Sequence, residues 1–168
     1  MNFDKLIDLR ASAREFTDEK VSKDDIDKLV HAANRAPIAS GEYDKSRLTV
    51  ISDRDLIGEI VDEFRKKLDT DRDPLYGAGL FIIFSSSKDS TAKYEDAGCV
   101  IENIHLKATE LGLGSCYIRG MVNSLGDEAA YIKKLGLDEG FYPVSGIVIG
   151  HVDQMPKAKG NALKTNFI

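Results

Sequence analysis

What this chain has little of narrows its chemistry first. It has two cysteines, Cys99 and Cys116, and neither has a partner at C-x-x-C spacing. That excludes a zinc or dithiol motif and predicts two free thiols buried among apolar neighbours in a reducing compartment. The three histidines, His31, His105 and His151, lack metal-ligand spacing. His105 lies near the apolar stripe of a helix, where a satisfied core histidine is the common case. A basic excess is missing too: 23 Lys+Arg stand against 28 Asp+Glu, a net charge of −5. This speaks against a general nucleic-acid binder. The longest apolar run, Leu80 to Phe84, is far too short to span a membrane, and the charged residues 1–20 hold no signal-peptide core. A cytoplasmic protein with no nucleic-acid and no membrane partner is expected. The 168 residues, 42% hydrophobic and 30% charged, suit one globular domain over 1–168.

Periodicity and capping signals place the elements. Asn2 is positioned to cap a helix with Phe3, Leu6 and Ile7 on one face. Ser22 and Asp25 form a capping pattern, with Val21 and Ile26 as a hydrophobic staple, ahead of the stripe Ile26, Leu29, Val30, Ala33 that Pro37 stops. Leu48 to Ile51 reads as a strand. Asp53 caps a helix with the stripe Leu56, Ile57, Ile60, Val61, Phe64, Leu68. The charged run 62–73 reads as a solvated face and a mobile loop. Asp73-Pro74 and Gly77-Ala78-Gly79 mark a turn, 80–84 a buried central strand, and Ser85 to Ser90 a loop. A long helix is predicted from Glu95 to Leu111, ended by Gly112, then a strand from Leu113 to Ile118. Ser124 and Asp127 predict a further helix running to Gly136, and Val144 to Ile149 the last strand. The tail from His151 is basic and irregular. This order fits one sheet flanked by helices; periodicity does not separate a doubly wound parallel fold from a mixed-sheet α+β fold.

Two groups of residues carry candidate chemistry. Arg10-Ala11-Ser12-Ala13-Arg14 offers two guanidiniums and a hydroxyl, the donors a phosphate needs, although on the residues alone a solvated helix exit is the commoner case. Lys157 and Lys159 alone read as a charged tail. The four cations would form a dianion site if the fold brought the chain ends together. Gly112-Leu113-Gly114-Ser115 follows a helix and precedes a strand, the reverse of a dinucleotide-binding turn, and is explained by a helix C-cap. Glu95 and Asp96 suit a helix dipole, while Glu102 and Asn103 face solvent or a subunit interface. No nucleophile–base arrangement can be assembled, so an enzyme of this sequence leaves the chemistry to a bound cofactor.

Taken in order, Arg10 to Arg14, Ala36-Pro37, Asp73 to Ala78, Asp96-Ala-Gly98, Glu102-Asn103, Gly112 to Ile118 and Pro156 to Lys159 resemble the nitroreductase family of FMN-dependent oxidoreductases over nearly the whole chain. The resemblance implies an α+β fold, a mixed and mainly antiparallel sheet flanked by helices, in an intertwined homodimer. It implies that Arg10, Ala11, Ser12 and Arg14 hold the FMN phosphate, completed by Lys157 and Lys159. Tyr117, Ile118, Arg119 and Gly120 would run beside the isoalloxazine ring. Pro37, Ile38, Ala39 and Ser40 would reach the flavin from the other subunit, and helix 95–111 would be a main dimer element. The implied reaction is ping-pong hydride transfer from NADH or NADPH through flavin N5 to a small-molecule acceptor, a nitroaromatic, quinone or similar. No residue is assigned acid–base catalysis and no metal is implied. The alternative is an FMN protein of the same fold with specialised dehydrogenase or dehalogenase chemistry, or with a non-catalytic flavin-binding role. The chain departs from the family at Gly41 to Lys45, where an Asn and a Gln-Pro are frequent, at Gly79, where a Pro is frequent, and at Arg119. That arginine is expected either at the N1/C2=O edge of the flavin or as a surface or dimer contact.

Overall fold

The structure is a computed structural model and describes residues 2–160 and 162–168. The predicted caps form. Asn2 Oδ1 accepts from Lys5 N at 3.0 Å and opens α1 (Phe3–Leu9). Ser22 Oγ accepts from Asp25 N at 3.1 Å and donates to its carboxylate at 2.8 Å, opening α2 (Lys23–Ala33). Asn34 caps Val30 O at 2.9 Å at the other end, ahead of Pro37, whose ring disfavours helical backbone before it. Asp53 opens α3 (Arg54–Leu68).

Four strands follow the predicted order: β1 (Ser46–Ile51), β2 (Leu80–Ser86), β3 (Gly114–Ile118) and β4 (Tyr142–Gly150). They form one sheet in the order β1-β2-β4-β3, with every neighbouring pair antiparallel. The fold is the expected α+β type. Among the described residues, parallel pairing enters only as a bridge between Ser12 and Ser115. β2 is buried along its whole length, extends through Ser86, and bulges between Phe84 and Ser85. Residues 85 and 86 were expected in a loop; pairing to β1 and β4 carries them into the sheet.

The sheet separates two apolar layers. On one side Ile57, Ile60 and Phe64 of α3 pack on Phe81 and Ile83. On the other, Leu29 of α2 and the Val100, Ile101, Ile104 stripe of α4 (Ala92–Glu110) pack on Leu80, Ile82 and Ile147. Each fully buried aliphatic side chain contributes roughly 1.5–3 kcal/mol relative to exposure. α4 starts at Ala92, ahead of the expected Glu95. It ends at Gly112 (φ +75°) with Gly112 N bonded to Thr109 O and Leu113 N to Ala108 O, a left-handed cap that only glycine takes easily.

Three expectations need correction. The charged run 62–73 divides: residues 62–68 form the last two turns of α3, as the stripe through Phe64 and Leu68 predicts, with Phe64 in the core and Asp62 paired to Arg65 on the solvated face. Only 69–73 leave the helix, at Asp69 (φ +49°). The helix expected from Ser124 to Gly136 does not form. The chain makes α5 (Gly120–Leu125), which Gly126 ends, and then a 3-10 turn over Ala130–Lys134. The amides of Ala130 and Tyr131 bond the Glu63 carboxylate of α3 at 2.6 and 3.1 Å, so a distant residue supplies the cap. Finally, Cys116 is buried but Cys99 is exposed on the outer face of α4.

Candidate functional site

The segment after α1 lies along the open edge of β3. Ser12 bridges Ser115 in parallel, and Ala13 N donates to Ser115 O at 2.9 Å. The chain leaving β4 meets the same place, with Thr17 N bonded to His151 O at 2.9 Å. Gly114 allows the convergence. A Cβ there would stand 2.4 Å from Val152 Cγ1 and 2.9 Å from Ala13 Cβ, so any side chain would push the two ends apart. The result is a cleft of about 510 Å³ lined by Arg10, Ala11, Ser12, Arg14, Lys157 and Lys159. The two chain ends, separate in sequence, thus form one cationic groove.

α4 supports the floor of that groove. Arg10 Nε lies 3.5 Å from Glu102 Oε1, the ion pair this set of cations makes among the described residues. Partial burial pushes the Glu102 carboxyl up, and Arg10 partly offsets it. His105 is 2% exposed and its Nε2 is 3.3 Å from Ala11 O. A carbonyl oxygen only accepts, so Nε2 carries the proton. Burial pushes the His105 pKa down and keeps the ring neutral. His105 is therefore the satisfied core histidine expected of it, and its partner is the backbone of the groove. Asn103 turns toward α2 and donates to Ala32 O at 3.1 Å.

Tyr117 to Gly120 leave the groove along β3 and enter α5. Tyr117 is 36% exposed and its hydroxyl is 3.1 Å from Ser145 Oγ; Ile118 is buried. Arg119 donates to Val144 O at 2.9 Å and lies 4.9 Å over the Tyr94 ring. Its guanidinium is thus engaged by the chain's own β4 and α4. A cleft of about 230 Å³ beside Tyr117 and Gly120 is also lined by Pro74 and Tyr76. The turn that carries them is fixed by the Asp73 carboxylate, which accepts from Leu75 N and Gly77 N, both at 2.7 Å.

Pro37 to Ser40 stand apart from the groove of their own chain. Ala39 bonds Asp96 near the start of α4, whereas Arg10 and Ala11 meet Glu102 and His105 farther along it. Ser40 is held at φ +59° in a 3-10 turn over Ala39–Gly41. The sequence shows nothing of the contacts by which Lys88 and Asp96 hold this turn: one sits in a Ser-rich stretch read as loop, the other where the helix was expected to start. Among the described residues no three His, Cys, Asp or Glu side chains gather as a metal site, and no helix is long and apolar enough to cross a membrane.

Set beside known proteins, the chain matches a Clostridium difficile R20291 protein described as an FMN-dependent nitroreductase, with a TM-score of 0.76, 27% identity, and 96% and 98% of the two chains covered. A Desulfitobacterium hafniense DCB-2 nitroreductase with bound FMN superimposes with a TM-score of 0.89 at 22% identity, covering 100% of this chain and 99% of that one. A Vibrio harveyi NADPH-flavin oxidoreductase is 40% identical over 65 residues, 38% of this chain but only 25% of that protein. A protein of Archaeoglobus fulgidus with the provisional name NADH dehydrogenase/NAD(P)H nitroreductase is 28% identical over 153 residues, 88% of this chain and 83% of that one. The sequence pattern of the nitroreductase family runs through residues 7–151, from α1 to the end of β4, and the chain therefore belongs to the nitroreductase family.

Proposed function

We propose that this protein is an FMN-dependent oxidoreductase that works as a homodimer. The observation that carries the proposal is the groove in which Arg10, Ser12, Arg14, Lys157 and Lys159 converge. Its donor set suits a phosphate monoester dianion: guanidinium forks, a hydroxyl and two ammonium groups. The names of relatives support the same cofactor and a nicotinamide donor. When bound, FMN would accept hydride from NADH or NADPH at N5 and pass electrons, in ping-pong turnover, to a nitroaromatic, quinone or similar small acceptor.

The chain's own residues do the rest. Arg14 and the two lysines neutralise the phosphate, and Arg10 is aimed at it by Glu102. β3 then acts as a ruler. Ser115 sits at the phosphate end, three residues at roughly 3.3 Å each place the backbone of Ile118 about 10 Å away, and Ile118 to Gly120 would flank the ring of a bound flavin. Pro74 and Tyr76 line the neighbouring cleft and supply apolar surface beside it. Phe3 and Ile7 of α1 are 65% and 46% exposed, and Leu163 and Phe167 of the tail are more than 90% exposed. Apolar surface of this kind is what a second copy would cover. In that dimer α4 is the main contact and Pro37 to Ser40 serve the partner's flavin.

The direct test is the visible spectrum of the purified protein with and without FMN, followed by anaerobic addition of NADH or NADPH. A bound flavin bleached by either nicotinamide is the expected result. A protein that stays colourless with FMN present would overturn the groove assignment.

A further inference from the structure

The least exposed charges in the molecule form a ring around a single loop residue. Lys88 lies just past the end of β2 and Asp96 in the second turn of α4; they are 5% and 3% exposed. Lys88 Nζ is 2.7 Å from Asp96 Oδ2. Both also reach Ala39. Asp96 Oδ1 accepts from Ala39 N at 2.7 Å, and Lys88 Nζ donates to Ala39 O at 2.9 Å. Glu42 Oε2 stands 3.7 Å from the same ammonium. The residue after Ala39 is Ser40, in a left-handed conformation that non-glycine residues rarely hold. Gly41 N bonds Ile38 O at 2.9 Å and closes the turn.

Such a ring is not needed for stability alone. Replacing a buried ion pair by apolar side chains of similar size is often neutral or stabilising, because the pair repays little more than its own desolvation. What apolar side chains cannot do is satisfy the amide and the carbonyl of one residue from two directions. The pair therefore fixes the pose of the turn rather than its mere burial. The turn is 37–40, the segment assigned above to the flavin.

We propose that Lys88 and Asp96 are positioning residues for the cofactor: they clamp Ala39 so that Pro37 to Ser40 present a fixed surface to FMN. This rests on the function proposed above. Neither residue touches the flavin; both act through the Ala39 peptide groups.

The test compares full-length wild type, Asp96→Asn and the double variant Lys88→Met/Asp96→Leu. Three quantities are measured: the melting temperature without FMN, amide hydrogen exchange at residues 39–41, and the FMN dissociation constant from flavin fluorescence. The double variant is expected to melt close to wild type, to exchange the Ala39 and Ser40 amides faster than those of α2 and β2, and to bind FMN about tenfold more weakly or worse, the scale of re-ordering a loop on binding. Asp96→Asn keeps an acceptor for the Ala39 amide and is expected between the two in both exchange and affinity. Equal FMN affinity in all three proteins would overturn the proposal, whatever the exchange rates, and leave the cofactor reading standing. If the double variant does not fold, Asp96→Asn decides: weaker FMN together with faster exchange at Ala39 and Ser40, while exchange in β2 keeps its wild-type rate, supports the clamp, and any other result overturns it. Wild-type protein that takes up no FMN would overturn the cofactor reading and the clamp with it.

Discussion

The two charged regions of this molecule are built on opposite terms. In the terminal groove, four cations line an open cleft, and among the described residues their carboxylate pairing is limited to the Arg10–Glu102 contact. At the Ala39 turn, one cation and one carboxylate are sealed from water and satisfy each other and the backbone. The first arrangement leaves charge free for a ligand; the second uses charge to hold the chain still. Under the proposed roles, exposure more than residue type separates a binding group from a positioning group.

The comparison breaks most readily at the groove. Arg10→Ala/Arg14→Ala is expected to weaken FMN binding by several kcal/mol, since each substitution removes a charge-assisted contact of roughly 1.5–3 kcal/mol. The melting temperature of the FMN-free protein should barely move. Fluorescence titration beside thermal denaturation checks both halves, and unchanged affinity would remove the phosphate assignment. At the turn the pattern should reverse. Asp96→Ala strands a buried ammonium, and about 3–5 kcal/mol of stability should be lost in denaturant titration. A loss well below 1 kcal/mol would mean that Glu42 replaces the missing carboxylate.

Gly114→Ala attacks the groove without touching a charge. Its Cβ would overlap Val152 and Ala13, and overpacking of this kind costs typically 1–3 kcal/mol. FMN affinity should fall together with stability, because the two ends separate. Affinity that survives the substitution would show that the tail reaches the groove by another route.

A smaller effect belongs to His105, buried against the groove backbone. Its folded pKa is depressed, so the unfolded chain binds the extra proton first as pH falls. Stability from this group is present above the unfolded value near 6.5 and is lost as pH drops below it. His105→Gln should flatten that part of the curve of melting temperature against pH. A slope identical to wild type between neutral and mildly acidic pH would assign the acid sensitivity to other groups. Smallest of all, added salt should weaken FMN binding through the exposed cations while leaving exchange at Ala39 unaltered, because screening acts on charges in water.

Much of the fold was legible because its signals are local. Asn2, Ser22 and Asp53 each cap the helix they precede, and the unbroken apolar run of β2 is central. Legibility failed where a partner comes from elsewhere in the chain. Ser124 and Asp127 have the spacing of a cap, yet Glu63, from a different helix, binds the amides that matter. The groove was half legible. The donors could be named, but their meeting depends on the bridge between Ser12 and Ser115 and on the missing side chain of Gly114. The Ala39 clamp was not legible at all, since a lysine among serines and an aspartate in a helix look like ordinary surface residues until they are buried together. Cys99 failed for a simpler reason: apolar sequence neighbours on a helix point in several directions, and this thiol falls on the wet side.

The meeting of residues 10–14 with 156–159 also sets a timetable for biogenesis. During synthesis residues 10–14 emerge long before residues 156–159, and the first half of the groove waits exposed for the second. Closing it requires a loop of almost the full chain length, whose entropy must be met by contacts made last. If FMN occupies that groove as proposed, it is a latch: a ligand that binds the closed form adds concentration-dependent stability to a protein whose sheet is already assembled.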